Sequence, residues 1–142
     1  MIKKSDQRGF SRAASVSALS DYRKFNVGCV AVDHGRVLSV GFNTTKTHPA
    51  QKRYNQFRDI VEGNCDGTIH HSLHAEIMCL NGLSPADKSR ADHIKLYIYR
   101  QRRDQPHGLA RPCKACMAAI REFGIRHIYY TTNDGYASEV LF

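Results

Sequence analysis

Two short runs in this sequence carry residue types that bind metals and move protons. His74-Ala75-Glu76 opens one apolar stretch, and Pro112-Cys113-Lys114-Ala115-Cys116 opens another. Cysteines three apart fall on one face of a helix and can converge on a single ion. Pro112 suits a first helical turn, where its missing N–H would have had no intrahelical partner. The partial positive charge at a helix N-terminus favours thiolate over thiol. One imidazole and two thiolates form a donor set that zinc accepts in tetrahedral geometry, and three protein ligands leave a fourth position to water, as catalytic sites require. His74, Cys113 and Cys116 are therefore the candidate ligands of one catalytic Zn2+. Zinc lowers the pKa of its water towards about 7. Glu76, two residues from a ligand, is the candidate general acid and base, a role that contributes roughly 10²–10⁴-fold to rate.

Each motif alone carries less. A lone C-x-x-C also fits half of a structural zinc site or a redox pair, and a lone H-x-E on a helix has no fixed meaning. A structural site would need a fourth protein ligand, and Cys65, His70 or His71 offers one. Together and in this order, however, the two runs match the H-x-E … P-C-x-x-C signature of zinc deaminases.

Several elements must position these residues. Asp6 to Leu19 reads as a helix, with Phe10, Ala13, Ala14, Ser17 and Ala18 along one face. Phe25–Val32 and Val37–Phe42 read as a β-hairpin around Asp33-His34-Gly35-Arg36, in which Gly35 is free to take positive φ. Asn43 to His71 reads as a long irregular connection with a short helix around Tyr54 to Val61, and connections of that length are usually functional or mobile. Leu73–Leu83 reads as a buried helix, Ile94–Tyr99 as a strand, and Arg100 to Arg111 as a basic loop. Pro112–Phe123 is a helix stopped by Gly124, and Arg126–Thr131 is a strand; the tail from Thr132 to Phe142 has no clear pattern. Strand-helix-strand order in the second half implies a parallel pair with a crossover helix. The expected architecture is a three-layer α/β/α domain around a central mixed sheet.

The bulk properties agree with an enzyme. A chain of 142 residues, 42% hydrophobic and 24% charged, fits one compact globular domain spanning 1–142. It has no run of about 18 apolar residues and no apolar stretch behind its basic start, which predicts a cytoplasmic protein without a membrane partner. Five cysteines without a leader favour metal ligation or buried thiols over disulfides; Cys29 and Cys79 fall in apolar segments as core thiols. The formal charge of +8 suits an anionic partner, a nucleotide phosphate or a nucleic acid, although net charge does not say where the charge sits.

From about Tyr22 to Thr131 the chain resembles the cytidine and deoxycytidylate deaminase superfamily. Beyond the zinc motifs, Phe25-Asn26-Val27-Gly28-Cys29-Val30 looks like its F-x-V-G-A-x first strand and Gly41-Phe42-Asn43 like its G-x-N strand ending. The resemblance implies a cytidine-deaminase-like fold and hydrolytic deamination. It makes Asn43 a candidate sugar contact, with Phe25, Ala75 and Arg111 as further candidate substrate contacts. Free-cytidine deaminases carry a glutamate two positions after that asparagine, where this chain has Thr45; Cys116 to Ile125 looks more like deoxycytidylate and tRNA adenosine deaminases. A phosphorylated cytosine nucleotide of the dCMP kind is therefore the expected substrate, and a base in single-stranded DNA or tRNA is the alternative. Candidate phosphate contacts are Lys46, Lys52, Arg53, Arg100, Arg102, Arg103 and Arg111, with His48 and Tyr54 as further candidates to line the pocket. Cys65, His70 and His71 are candidates for a second, structural zinc. By analogy the family also implies a homo-oligomer.

Overall fold

The computed structural model describes residues 2–22, 24–62, 72–102 and 107–141, with the backbone alone for 58–62. Its elements are α1 (Lys4–Ser17), β1 (Asn26–Asp33), β2 (Arg36–Phe42), α2 (Pro49–Glu62), α3 (Ala75–Asn81), α4 (Pro85–Lys88), a 3₁₀ turn (Ala91–His93), β3 (Lys95–Gln101), α5 (Lys114–Phe123), β4 (His127–Thr131) and β5 (Tyr136–Val140). No helix among the described residues is long and apolar enough to cross a membrane.

The strands form one mixed sheet in the order β2-β1-β3-β4-β5. β3 and β4 run parallel with α5 between them in sequence, and every other neighbouring pair is antiparallel. The β1–β2 turn places both His34 (φ 49°) and Gly35 (φ 81°) in the left-handed region, the type I′ geometry whose twist matches a two-residue hairpin.

Strand alternation divides the interior. Val30 and Val32 of β1 and Tyr97 of β3 face α1 and pack with Phe10 and Ala13. Cys29, Ala31, Leu96, Ile98 and Ile128 point to the other side, where α3 and α5 contribute Ile77, Leu80, Ala119 and Ile120 to a larger core. The result is three layers, α1 on one face and the remaining long helices on the other. On the α1 face, the buried Asp6 accepts a hydrogen bond from the Tyr97 hydroxyl at 2.6 Å. Burial and this carboxylate push the Tyr97 phenol well above its ordinary value.

Four expectations need correction. The helix expected around Tyr54 to Val61 is longer than that, because α2 runs fourteen residues from Pro49 to Glu62. Its buried side includes Gln51 and Asn55 alongside Tyr54, so an apolar pattern could not reveal it. Pro112 and Cys113 precede α5 rather than opening it; Cys113 is the extended N-cap residue. Arg100 belongs to β3, not to a loop. The unread tail is an edge strand whose residues alternate between half-buried and exposed.

Candidate active site

The start of α3 sets the site. Gly41 of β2 lies so close beneath this helix that a Cβ there would collide with the Ala75 carbonyl oxygen and stand 2.6 Å from the Cys79 nitrogen. Backbone packed on backbone thus fixes where α3 begins. His74 is its extended N-cap residue, and its backbone N–H donates at 2.9 Å to the side chain of Gln51. Gln51 is fully buried and donates in turn to Asn55 at 2.8 Å. The sequence reading missed this support, because a buried amide on a helix leaves no pattern.

His74 Nδ1 stands 3.6 Å from Cys113 Sγ and 3.4 Å from Cys116 Sγ. All three donor atoms lie within 4.8 Å of one another, and they form the one such group found among the described residues. Zinc bonds of about 2.3 Å to sulfur and 2.0–2.1 Å to nitrogen, opened to a tetrahedral angle, set two donors about 3.6 Å apart. The group therefore fits zinc. Hydrogen bonding from Cys116, followed by the contact with His74, pulls the Cys113 thiol down to about 4, against the cost of burial. Cys116 is held well above its ordinary value by its bond to Cys113 and by burial. Glu76 sits in the first turn of α3 and is buried. Burial pushes its carboxyl up to about 7, opposed by His74, which is where a group that must both accept and return a proton at neutral pH works best.

These groups open into a cavity of about 460 Å³, within the range of small-molecule sites. Glu76, His74 and Cys113 line it, together with Phe25, Asn43, Ala75 and Arg111. The Asn43 amide is engaged by β1: Oδ1 accepts from Val27 N at 2.8 Å and Nδ2 donates to the Phe25 carbonyl at 3.0 Å. Each end of the amide keeps one further hydrogen-bonding position. Arg111 lines the cavity but its fork is paired with Glu139 at 2.7 and 3.1 Å. Arg100 lies over the Phe25 ring, 4.4 Å from its centroid, and its buried Nε has no hydrogen-bond partner. Tyr22 and Lys24 also line the cavity; neither was singled out from the sequence as a site residue, since they lie outside any motif.

Other candidates are placed elsewhere. Lys46, His48, Lys52, Arg53, Tyr54 and Arg102 do not line this cavity. Arg53 pairs with Glu122 at 2.9 Å, Arg102 donates to Asn133 at 3.2 Å, and His48 Nδ1 accepts from Ala50 N at 3.0 Å. Thr45 is tied to Asp21 through its N–H and its hydroxyl. Cys65, His70, His71 and Arg103 lie outside the described residues, and so does the second zinc site they were to form. Cys29 and Cys79 are buried free thiols.

Residues 3–132 match the family model for the cytidine and deoxycytidylate deaminase zinc-binding region. The chain belongs to this family. No curated protein sequence matches it significantly. Among solved structures, the dCMP deaminase of cyanophage S-TIM5 in its apo form is 19% identical, with a TM-score of 0.58 over 93% of this chain and 86% of that one. The same enzyme in complex with dCMP and dUMP gives 18% and 0.59, over 93% and 84%. Cytidine deaminase from Burkholderia pseudomallei gives 15% and 0.58, over 98% and 93%. These likenesses confirm the cytidine-deaminase-like fold. The chain is a hydrolase of the cytidine/deoxycytidylate deaminase type that uses one catalytic zinc.

Proposed function

We propose that the protein deaminates a cytosine mononucleotide of the dCMP kind, adding water and releasing ammonia to leave the uracil nucleotide. The observation that carries this reading is one cavity holding Glu76 beside the His74–Cys113–Cys116 group, with Lys24 and Arg100 on its walls. The likeness to an enzyme crystallised with dCMP and dUMP supports it further.

His74 Nδ1 and the two sulfurs would hold the metal. When bound, zinc supplies Lewis-acid activation of water at neutral pH. Glu76 takes one proton from the attacking water and delivers it to the ring nitrogen N3, then takes the remaining proton from the hydroxyl added to the ring carbon and passes it to the amine, which leaves as ammonia while the carbonyl forms. Its burial keeps competing water away from those transfers. Asn43, pinned by the start of β1, offers its remaining positions to the sugar. The Phe25 ring walls the base, with the backbone of Ala75 on the α3 side. The Arg100 guanidinium and Lys24 are the phosphate contacts; Arg111, already neutralised by Glu139, is a rim group.

The test is ammonia release from cytidine, deoxycytidine, their mono- and triphosphates, adenine and guanine nucleosides and single-stranded oligonucleotides. The monophosphate should be the best substrate. Arg100→Gln should raise KM for the monophosphate about tenfold, a charge-assisted hydrogen bond's worth, and leave the unphosphorylated nucleoside unaffected. Equal losses on both substrates would remove Arg100 from the phosphate. The basic charge also motivates a nucleic-acid substrate, and turnover of the oligonucleotide alone would replace the mononucleotide reading.

A further inference from the structure

A second cleft, of about 330 Å³, opens at the opposite end of β1 and on the opposite face of the sheet. The catalytic cavity is lined by Phe25 and Val27, before and within the start of β1; this cleft is lined by Val32, His34 and Gly35, at its end. The two share no lining residue, and seven residues of extended chain separate their ends by roughly 20 Å.

The cleft is cationic on two sides. Arg8 and Arg12, four residues apart and therefore on one face of α1, form the first bank. Lys95 forms the second, with His127 opposite it on the parallel β3–β4 ladder. His34 and His93, with ring centroids 6.1 Å apart, also line the cleft. Asp92 is the one carboxylate in the lining. Asp33 at the rim is engaged by Arg90 and His34.

The banks are built rather than incidental. Gly9, between the two arginines, lets α1 settle onto the floor: a Cβ there would stand 2.6 Å from the Tyr97 ring. Arg12 reaches the Gly35 carbonyl at 3.4 Å, and the left-handed His34-Gly35 turn closes that wall. Lys95 Nζ lies over the Tyr129 ring, 5.6 Å from its centroid. Nothing in the deamination chemistry uses any of these residues.

We infer that this cleft binds a phosphate chain, a ligand with at least two linked phosphoryl groups, one facing each cationic bank. Arginine forks and a lysine suit phosphoryl oxygens. The volume falls at the small end of ligand sites, which holds a compact polyanion and not a length of nucleic acid. The chain has two sources, inorganic polyphosphate or a nucleoside di- or triphosphate.

The test uses the zinc-loaded, ¹⁵N-labelled protein at low salt, titrated with inorganic tripolyphosphate and followed by NMR. Saturable shifts are expected at the Gly9, Gly35 and Lys95 amides. Arg8→Gln/Arg12→Gln should weaken this affinity by about tenfold or more while leaving deaminase activity unchanged, which also shows that the variant folds. Lys95→Gln should weaken it independently and decides the matter if the double variant is inactive. Absence of saturable shifts at these amides, or unchanged affinity in the variants, overturns the inference. Equal affinity for tripolyphosphate and a nucleoside triphosphate supports the phosphate chain as the whole ligand; tighter nucleotide binding supports a nucleotide. An oligonucleotide that binds these amides more tightly than either overturns the assignment in favour of a nucleic-acid track.

Discussion

The two ends of β1 each carry a cavity with cationic walls, yet they are built differently. At the start of the strand, the cations flank a buried carboxyl and three convergent metal donors, and the supporting groups are themselves buried: Gln51 under His74 and Asn43 under Phe25. At its end, Arg8, Arg12, His34 and His93 are exposed, and among the described residues no group of convergent metal donors accompanies them. Charge alone therefore does not distinguish a reaction site from a binding site. Burial of a group whose protonation must change does, because desolvation is what brings a carboxyl into the neutral range.

The sharpest way to break this contrast is at Glu76. Glu76→Gln should retain zinc by elemental analysis and lose roughly 10²–10⁴-fold in kcat, while tripolyphosphate binding at the distal cleft stays as it was. Near-normal turnover in that variant would remove Glu76 from the mechanism. Cys113→Ala should release the metal and abolish activity; a full equivalent of retained zinc would show that the ligand set is wrong. Next in size, Gln51→Leu removes the hydrogen bond that the His74 N–H makes to the Gln51 side chain, a cost of about 1–3 kcal/mol. It should lower Tm by several degrees and speed zinc loss to a chelator. Wild-type values for both would make the Gln51 contact incidental. The smallest effect belongs to the distal end. Hydrogen bonds from Arg90 and then His34 hold the Asp33 carboxyl near 2, below its ordinary value of about 3.9. Its contribution to stability is complete above that ordinary value and fades as pH falls towards 2. Asp33→Asn should flatten the dependence of Tm on pH in that acid window, and an unaltered slope would show that the rim pairs do not hold in solution.

Much of the catalytic end is legible in the sequence because its chemistry fixes residue type and spacing together. His74, Glu76, Cys113 and Cys116 come from two short runs, and the hairpin, the parallel β3–β4 pair and the helix ending at Gly124 follow from alternation and turn residues. What stayed hidden was polar burial and tertiary convergence. Gln51 and Asn55 read as surface residues until α2 is seen to bury them. Lys24 and Tyr22 belong to no motif, and reach the cavity only because β1 starts there. Arg111 carries the right charge beside the right motif, but Glu139, from an edge strand with no clear pattern, takes its fork. The distal cleft draws on α1, the hairpin turn, the 3₁₀ turn and the starts of β3 and β4, five segments that no local pattern connects.

Gly28 on β1 and Gly41 on β2 sit one register step apart, Gly28 opposite Phe42 and Cys29 opposite Gly41. They face opposite sides of the sheet: a Cβ on Gly28 would run into the Ala13 carbonyl of α1, and one on Gly41 into the Ala75 carbonyl of α3. Even alanine overfills either position. A saturation-mutagenesis scan scored by activity would consequently rank both glycines with the proposed metal ligands and Glu76, and only a parallel measurement of folded protein would separate these two steric vacancies from the residues proposed to perform the reaction.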